Sequence, residues 1–200
     1  LRRRQRQMCI RDRPIGIYMK SDGLMVIGTG EVTTKNGDII DPADGVLKSG
    51  DYIEAINGVP AVNKKDMIQA VNSSGGGALT LSVRRDGEEM PVEMTPVETA
   101  DGDFKLGLWI RDDTQGIGTM TYISTNGEFG ALGHGISDSD TGMLVQTSGG
   151  ELYDTEIMGI EKGTFGKPGV MSGVIYYGNQ SKLGAIEAVS YTHLRAHETP

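Results

Sequence analysis

Cysteine is almost missing from this chain: its 200 residues include one, Cys9, inside an arginine-rich opening segment unlike anything that follows. The body therefore offers no disulfide, no thiolate nucleophile and no zinc-thiolate site. Aromatic residues make up 6% of the chain, with Trp109 the single tryptophan. No apolar run reaches membrane-span length, and none follows the basic opening as the core of a signal peptide would. Histidine is scarce too. Of three, His193 and His197 fall in an atypical tail, which leaves His134 as the one titrating near neutral pH within the body.

Both ends differ from the middle. Residues 1–13 hold six of the ten arginines, and 189–200 bring two histidines and an arginine without a glycine. The strings Met8-Cys-Ile-Arg-Asp-Arg13 and Val189-Ser-Tyr-Thr-His-Leu-Arg-Ala-His-Glu-Thr199 resemble translated sequencing-adapter sequence. Both ends are expected to be artefactual or disordered and are set aside from fold reasoning, as an expression tag would be. Pro14 to Ala188 then carries 12 basic against 25 acidic residues, a formal charge of about −13. A body so acidic repels phosphate backbones and anionic headgroups, so no nucleic-acid partner is expected. Arg84-Arg85, beside the turn Asp86-Gly87, reads as a solvated hairpin end rather than a nucleic-acid patch.

Thirty glycines and short apolar runs divided by turn signals point to many short strands. Gly23–Ile27 and Asp51–Ile56 read as buried strands, the second closed by Asn57-Gly58. Asn63–Asn72 is the one clear helix: Asn63 caps it, Asp66 sits in its first turn, and Met67 and Val71 share a face. Leu79, Leu81 and Val83 alternate with polar residues, as do Met90, Val92 and Met94 after the turn, which makes a hairpin with one apolar face. Further strands are expected at Leu106–Ile110, Gly118–Ile123, Phe129–Leu132, Met143–Val145 and Glu156–Ile160, with Asn126-Gly127 as a hairpin turn. Trp109, within an apolar strand, is expected in the core.

The order Gly50-Asp51-x-Ile53-x-x-Ile56-Asn57-Gly58, helix, closing hairpin resembles a PDZ domain of the bacterial type. In that family a peptide adds as a strand beside a loop whose amides hold its terminal carboxylate. By position the resemblance assigns Ile15, Gly16 and Ile17 to the loop and Met67 and Val71 to the facing helix as peptide-binding residues. The next stretch, Lys105-Leu-Gly-Leu-Trp-Ile-Arg111-Asp112-x-x-x-Gly116-Ile-Gly118-Thr-Met-Thr-Tyr122, then Gly130-Ala-Leu-Gly-His134-x-Ile136-x-Asp138-x-Asp140-Thr141, resembles the stage IV sporulation protein B family of serine peptidases. Ile160-Glu-Lys-Gly163-x-x-Gly166-Lys-Pro-Gly169 and Lys182–Ile186 extend it.

The resemblance implies a mainly β protein with a small α+β part. Its expected order is a PDZ domain over 14–97, a connector over 98–103, and the N-terminal part of a chymotrypsin-like β-barrel peptidase domain over 104–188. It also implies a secreted serine endopeptidase, working in the forespore intermembrane space on a membrane-bound regulator to activate a late sporulation sigma factor. Membrane attachment would come only through an N-terminal anchor absent from this chain. His134 takes the role of catalytic base, because a serine hydroxyl cannot attack a peptide bond unless an imidazole accepts its proton. The family's nucleophile lies in a Gly-Met-Ser-Gly-Ser-Pro type motif that this chain lacks. Val170-Met171-Ser172-Gly173-Val174 only imitates it, so the fragment is expected to be inactive.

No cofactor or metal is expected. Asp138 and Asp140 read as turn-capping residues ahead of a partial calcium loop. The alternative function is a noncatalytic peptide-binding protein, its PDZ domain recruiting a C-terminus or internal peptide and its β-domain serving as scaffold.

Overall fold

The computed structural model describes residues 13–131 and 135–187. The chain is mainly β, with one ten-residue helix among the described residues. In chain order the elements are β1 (Arg13–Thr29), β2 (Val32–Thr33), β3 (Ile39–Ile40), β4 (Tyr52–Ile56), β5 (Val59–Pro60), α1 (Lys64–Ser73), β6 (Leu79–Arg85), β7 (Glu88–Met94), β8 (Val97–Glu98) and β9 (Phe104–Lys105). They continue as β10 (Leu108–Met120), β11 (Tyr122–Ile123), β12 (Phe129–Gly130), β13 (Thr147–Tyr153), β14 (Thr155–Glu161), β15 (Val170–Ile175) and β16 (Lys182–Ile186). Two compact units emerge among the described residues: a helical unit of Lys20–Thr114 with Ile136–Thr147, and a strand unit made of the remaining ones. The long strands β1 and β10 contribute residues to both.

In the helical unit β4 pairs antiparallel with β1 (Leu24 opposite Ile53) and with β6 (Ile53 opposite Val83). β6 and β7 form the expected hairpin, Arg85 opposite Glu88, with Asp86 at φ 53° supplying the left-handed turn residue that a tight hairpin needs. Leu24, Val26, Ile53, Leu79, Leu81 and Val83 line the buried face. Helix α1 covers it with Met67 and Val71, each contributing about 1.5–3 kcal/mol by leaving water. A helix this short is marginal alone, so this apolar stripe and its cap hold it. Asn63 accepts from the Asp66 amide at 3.0 Å, as its sequence position predicts. Of residues 98–103, expected as a connector, Glu98 ends β8 and residues 99–103 make the turn to its partner β9.

In the strand unit β13 lies between β16 and β1, β14 pairs with β15, and Asn126-Gly127 sits in the turn joining β11 to β12. Its core is small: Ile15, Met120 and Leu152, with Ile17, Ile123, Phe129 and Ile186 packed against them.

Candidate functional site

A groove of about 540 Å³ runs along α1 in the helical unit, with Met67, Ile68 and Val71 on one wall and residues 103–110 on the other. Both ends of the helix are tied to that opposite wall. At its start, Asp112 Oδ2 accepts from the Lys64 amide at 2.9 Å while Oδ1 lies 3.0 Å from Lys64 Nζ. Near its end, Asn72 Oδ1 accepts from the Phe104 amide at 2.9 Å. The Asp112 carboxyl is pushed up by burial but pulled down further by its bonds to Lys64, and the net shift is below the usual carboxylate range. The groove is thus open and held at fixed width.

Leu106-Gly107-Leu108 lines the groove between β9 and β10. Gly107 has φ 65°, and an added Cβ would sit 2.5 Å from the Gly30 carbonyl oxygen, so only glycine fits there. The Gly107 carbonyl accepts from the Gly30 amide at 2.8 Å, whereas the Leu106 and Gly107 amides donate to no group among the described residues. Strand β10 pairs with β1 and with no other described strand. An unpaired strand edge beside two undirected amides can take an extended peptide as an added strand, with its carboxylate on the amides.

Of the residues expected to bind peptide, Met67 and Val71 lie on the helix wall of this groove. Ile15, Gly16 and Ile17 are in the strand unit, inside β1 rather than in a loop, and Ile15 is fully buried. Leu106-Gly107-Leu108 carries the same apolar-Gly-apolar signature, and that signal was present in the sequence. Trp109, expected in the core, is 66% exposed. Leu108 and Ile110 take the inward positions of the strand, and alternation turns Trp109 outward.

His134 lies outside the described residues; the segment just after it is visible. Asp138 is buried, and its Oδ1 accepts from the Asp140 and Thr141 amides, both at 2.9 Å, and from the Thr141 hydroxyl at 3.1 Å. The turn-capping reading of this aspartate therefore describes it. Arg111 Nε lies 2.6 Å from Asp138 Oδ2, and Arg111 Nη2 lies 2.5 Å from Asp140 Oδ2. The charge of both carboxylates is taken up by an arginine from β10. Burial raises the Asp138 carboxyl, but the Thr141 and Asp140 amides, the Thr141 hydroxyl and Arg111 outweigh it, and the net shift is downward. Ser172 sits within strand β15, exposed and opposite Gly159, where the β14–β15 register shifts. Among the described residues no cluster of three or more His, Cys, Asp or Glu side chains could hold a metal ion.

Arg84 and Arg85 are not a solvated hairpin end. Arg84 Nε lies 2.5 Å from Glu54 Oε1 with its guanidinium over the Tyr52 ring, and Arg85 binds the buried Asp51 through both carboxylate oxygens at 2.8 and 2.6 Å.

Comparison with known proteins gives likenesses of three kinds. Over 62 residues the chain is 34% identical to the "Putative zinc metalloprotease LL2128" of Lactococcus lactis subsp. lactis (strain IL1403), covering 31% of this chain and 14% of that protein. The chain thus spans a small part of the length of this curated relative. Among solved structures, the PDZ domain of the SdrC-like protein (Lmo2051) from Listeria monocytogenes aligns with 44% of this chain and 87% of its own, at 20% identity and a TM-score of 0.35. Residues 102–194 match the family model described as SpoIVB peptidase S55, a stretch that holds Arg111, His134, Asp138 and Asp140.

Proposed function

We propose that this chain is part of a secreted serine endopeptidase of the SpoIVB S55 type, in which His134 is the general base and the groove along α1 binds peptide. The S55 family match over residues 102–194 carries this reading. Within it, His134 accepts the proton of a serine hydroxyl as that oxygen attacks the scissile carbonyl, then returns it to the leaving amine. The serine comes from a segment that this sequence does not contain, so the 200-residue chain itself is inactive. The groove, with the open edge of β10 and the Leu106 and Gly107 amides, recruits a protein substrate or a regulatory C-terminus. Proteolytic signalling in the forespore intermembrane space, on a membrane-bound regulator of a sigma factor, is the role the family likeness supplies.

The test is a chain extended through the downstream reading frame of the source gene, assayed for self-cleavage and casein hydrolysis. Activity abolished by His134→Ala supports the peptidase; activity indifferent to His134→Ala ends it. Hydrolysis by the 200-residue chain that disappears on Ser172→Ala would make Ser172 the nucleophile after all. The open groove also favours a second reading, a noncatalytic peptide-binding protein, which an extended chain with no Gly-x-Ser-Gly-Ser-Pro motif would support.

A further inference from the structure

We infer that Trp109 makes the groove selective for a large apolar side chain at the penultimate position of a bound peptide. The inference rests on the peptide-groove reading above and adds to it the residue that chooses among ligands.

Trp109 is the chain's single tryptophan, and two-thirds of its surface is in water although it follows Leu108 and precedes Ile110, both packed on the core. Its indole is seated on bare backbone: a Cβ added to Gly30 would lie 2.8 Å from Trp109 Nε1. Any other residue at position 30 would push the ring from this place. Gly30 in turn is bonded through its amide to the carbonyl of Gly107, which lines the same groove. The ring, the turn and the groove wall are thus one unit of structure, and Val32 and Ile68 extend the apolar surface along the same groove.

The assignment to a peptide position follows from strand geometry. A peptide whose carboxylate rests on the Leu106 and Gly107 amides runs beside β10, and its side chains alternate between two faces. The last residue turns toward Met67 and Val71 on α1. The one before it falls on the face to which Trp109 points, opposite to Leu108 and Ile110. A tryptophan exposed at a recognition surface supplies a rigid apolar contact at small entropic cost. An aromatic or long aliphatic partner covers it; glycine leaves it wet, and aspartate would have to desolvate a charge against it.

The experiment uses the full 200-residue chain and three fluorescein-labelled octapeptides ending in Phe-Val, Gly-Val and Asp-Val with free carboxylates, and a fourth, Phe-Val, with its C-terminus amidated. Fluorescence anisotropy gives each Kd. The expected result is Phe-Val bound about tenfold tighter than Gly-Val, equivalent to about 1.4 kcal/mol, with Asp-Val weaker still and the amide weakest. Trp109→Ala should abolish the preference, so that Phe-Val and Gly-Val bind alike, while Trp109→Phe keeps most of it. Equal binding of Phe-Val and Gly-Val by the unaltered chain, or a preference that survives Trp109→Ala, overturns the role of Trp109 and leaves the groove intact. If no free-carboxylate peptide binds, the groove reading falls and this inference falls with it.

Discussion

Arg111 reaches from strand β10 to the buried carboxylate of Asp138, its Nε 2.6 Å from Oδ2. The contact joins two sequence motifs that are separated along the chain but both fall within the matched S55 stretch. Asp138 Oδ2 has no aligned hydrogen bond among the described residues, so the guanidinium charge alone compensates that oxygen. Oδ1 by contrast is fully occupied by the turn. Asp138→Asn keeps an acceptor for the turn amides but removes the charge that Arg111 answers. It should destabilise by about 1–3 kcal/mol, the range for a buried charged hydrogen-bonding group that loses its counterpart. Asp140, 58% exposed, holds Arg111 from the solvent side, and Asp140→Asn should cost no more than about 1 kcal/mol. Urea melts of both variants decide it: equal losses would mean that burial of Asp138 is not what matters.

The same carboxylate sets a pH dependence. Its folded pKa lies below its unfolded one, so the stability it contributes is present in full above the ordinary carboxylate value of about 4 and is lost as pH falls through the lower, folded value. The stability difference between the unaltered chain and Asp138→Asn should therefore be constant from pH 8 to about 5 and shrink below about 4. A difference that stays flat to pH 3, or one that shrinks on going from pH 7 to 8, contradicts the assignment.

The helical unit was largely legible because its local signals agree with one another. The Asn63 cap, the Met67 and Val71 spacing, and the alternation on β6 and β7 each name an element, and each element is present. β13, β15 and β16 were not read. Thr147-Ser-Gly-Gly150 looks like a turn, and its strand character comes from pairing with β16 and β1, partners distant in sequence. Met143–Val145, read as a strand, makes only an isolated bridge, Ser137 with Leu144. Its apolar content is spent on Val145, fully buried against Met25 and Tyr52. The groove was half legible. Its helix wall follows from helix periodicity; the apolar-Gly-apolar signature of the second wall was present too, but its packing on Gly30 joins residues distant in sequence, which no local pattern encodes.

Asp51 offers a contrast between buried and exposed charge in one neighbourhood. Its side chain is wholly buried, bound bidentately by Arg85 and by the Lys48 amide at 3.0 Å. Lys48 and Asp86, at 3.2 Å, are both largely in solvent. Asp51→Ala leaves Arg85 partly buried without its partner and should cost about 3–5 kcal/mol. Asp86→Ser should cost less than about 1 kcal/mol while keeping a polar residue at the turn. Thermal melts of the two variants, read by circular dichroism, should differ by several degrees; a shift of similar size in both would show that the Asp51 pair is solvated in solution.

The two ties on α1 predict how the groove behaves when one is cut. Asp112 binds both the amide and the ammonium of Lys64, so Asp112→Ala leaves the first helical amide without its acceptor and frees that end of the helix from β10. Lys64→Ala removes only the ammonium contact and keeps the amide bond, and its effect should be smaller. Loss of an N-terminal helix acceptor costs about 1 kcal/mol. Because Asn72 still holds the other end to Phe104, the change should stay local. Hydrogen exchange should quicken at the start of α1 in Asp112→Ala while amides of β6 and β7 keep their protection, and binding of a free-carboxylate peptide should weaken with it. Exchange that quickens equally over β6 would mean that Asp112 supports the whole core rather than the width of the groove.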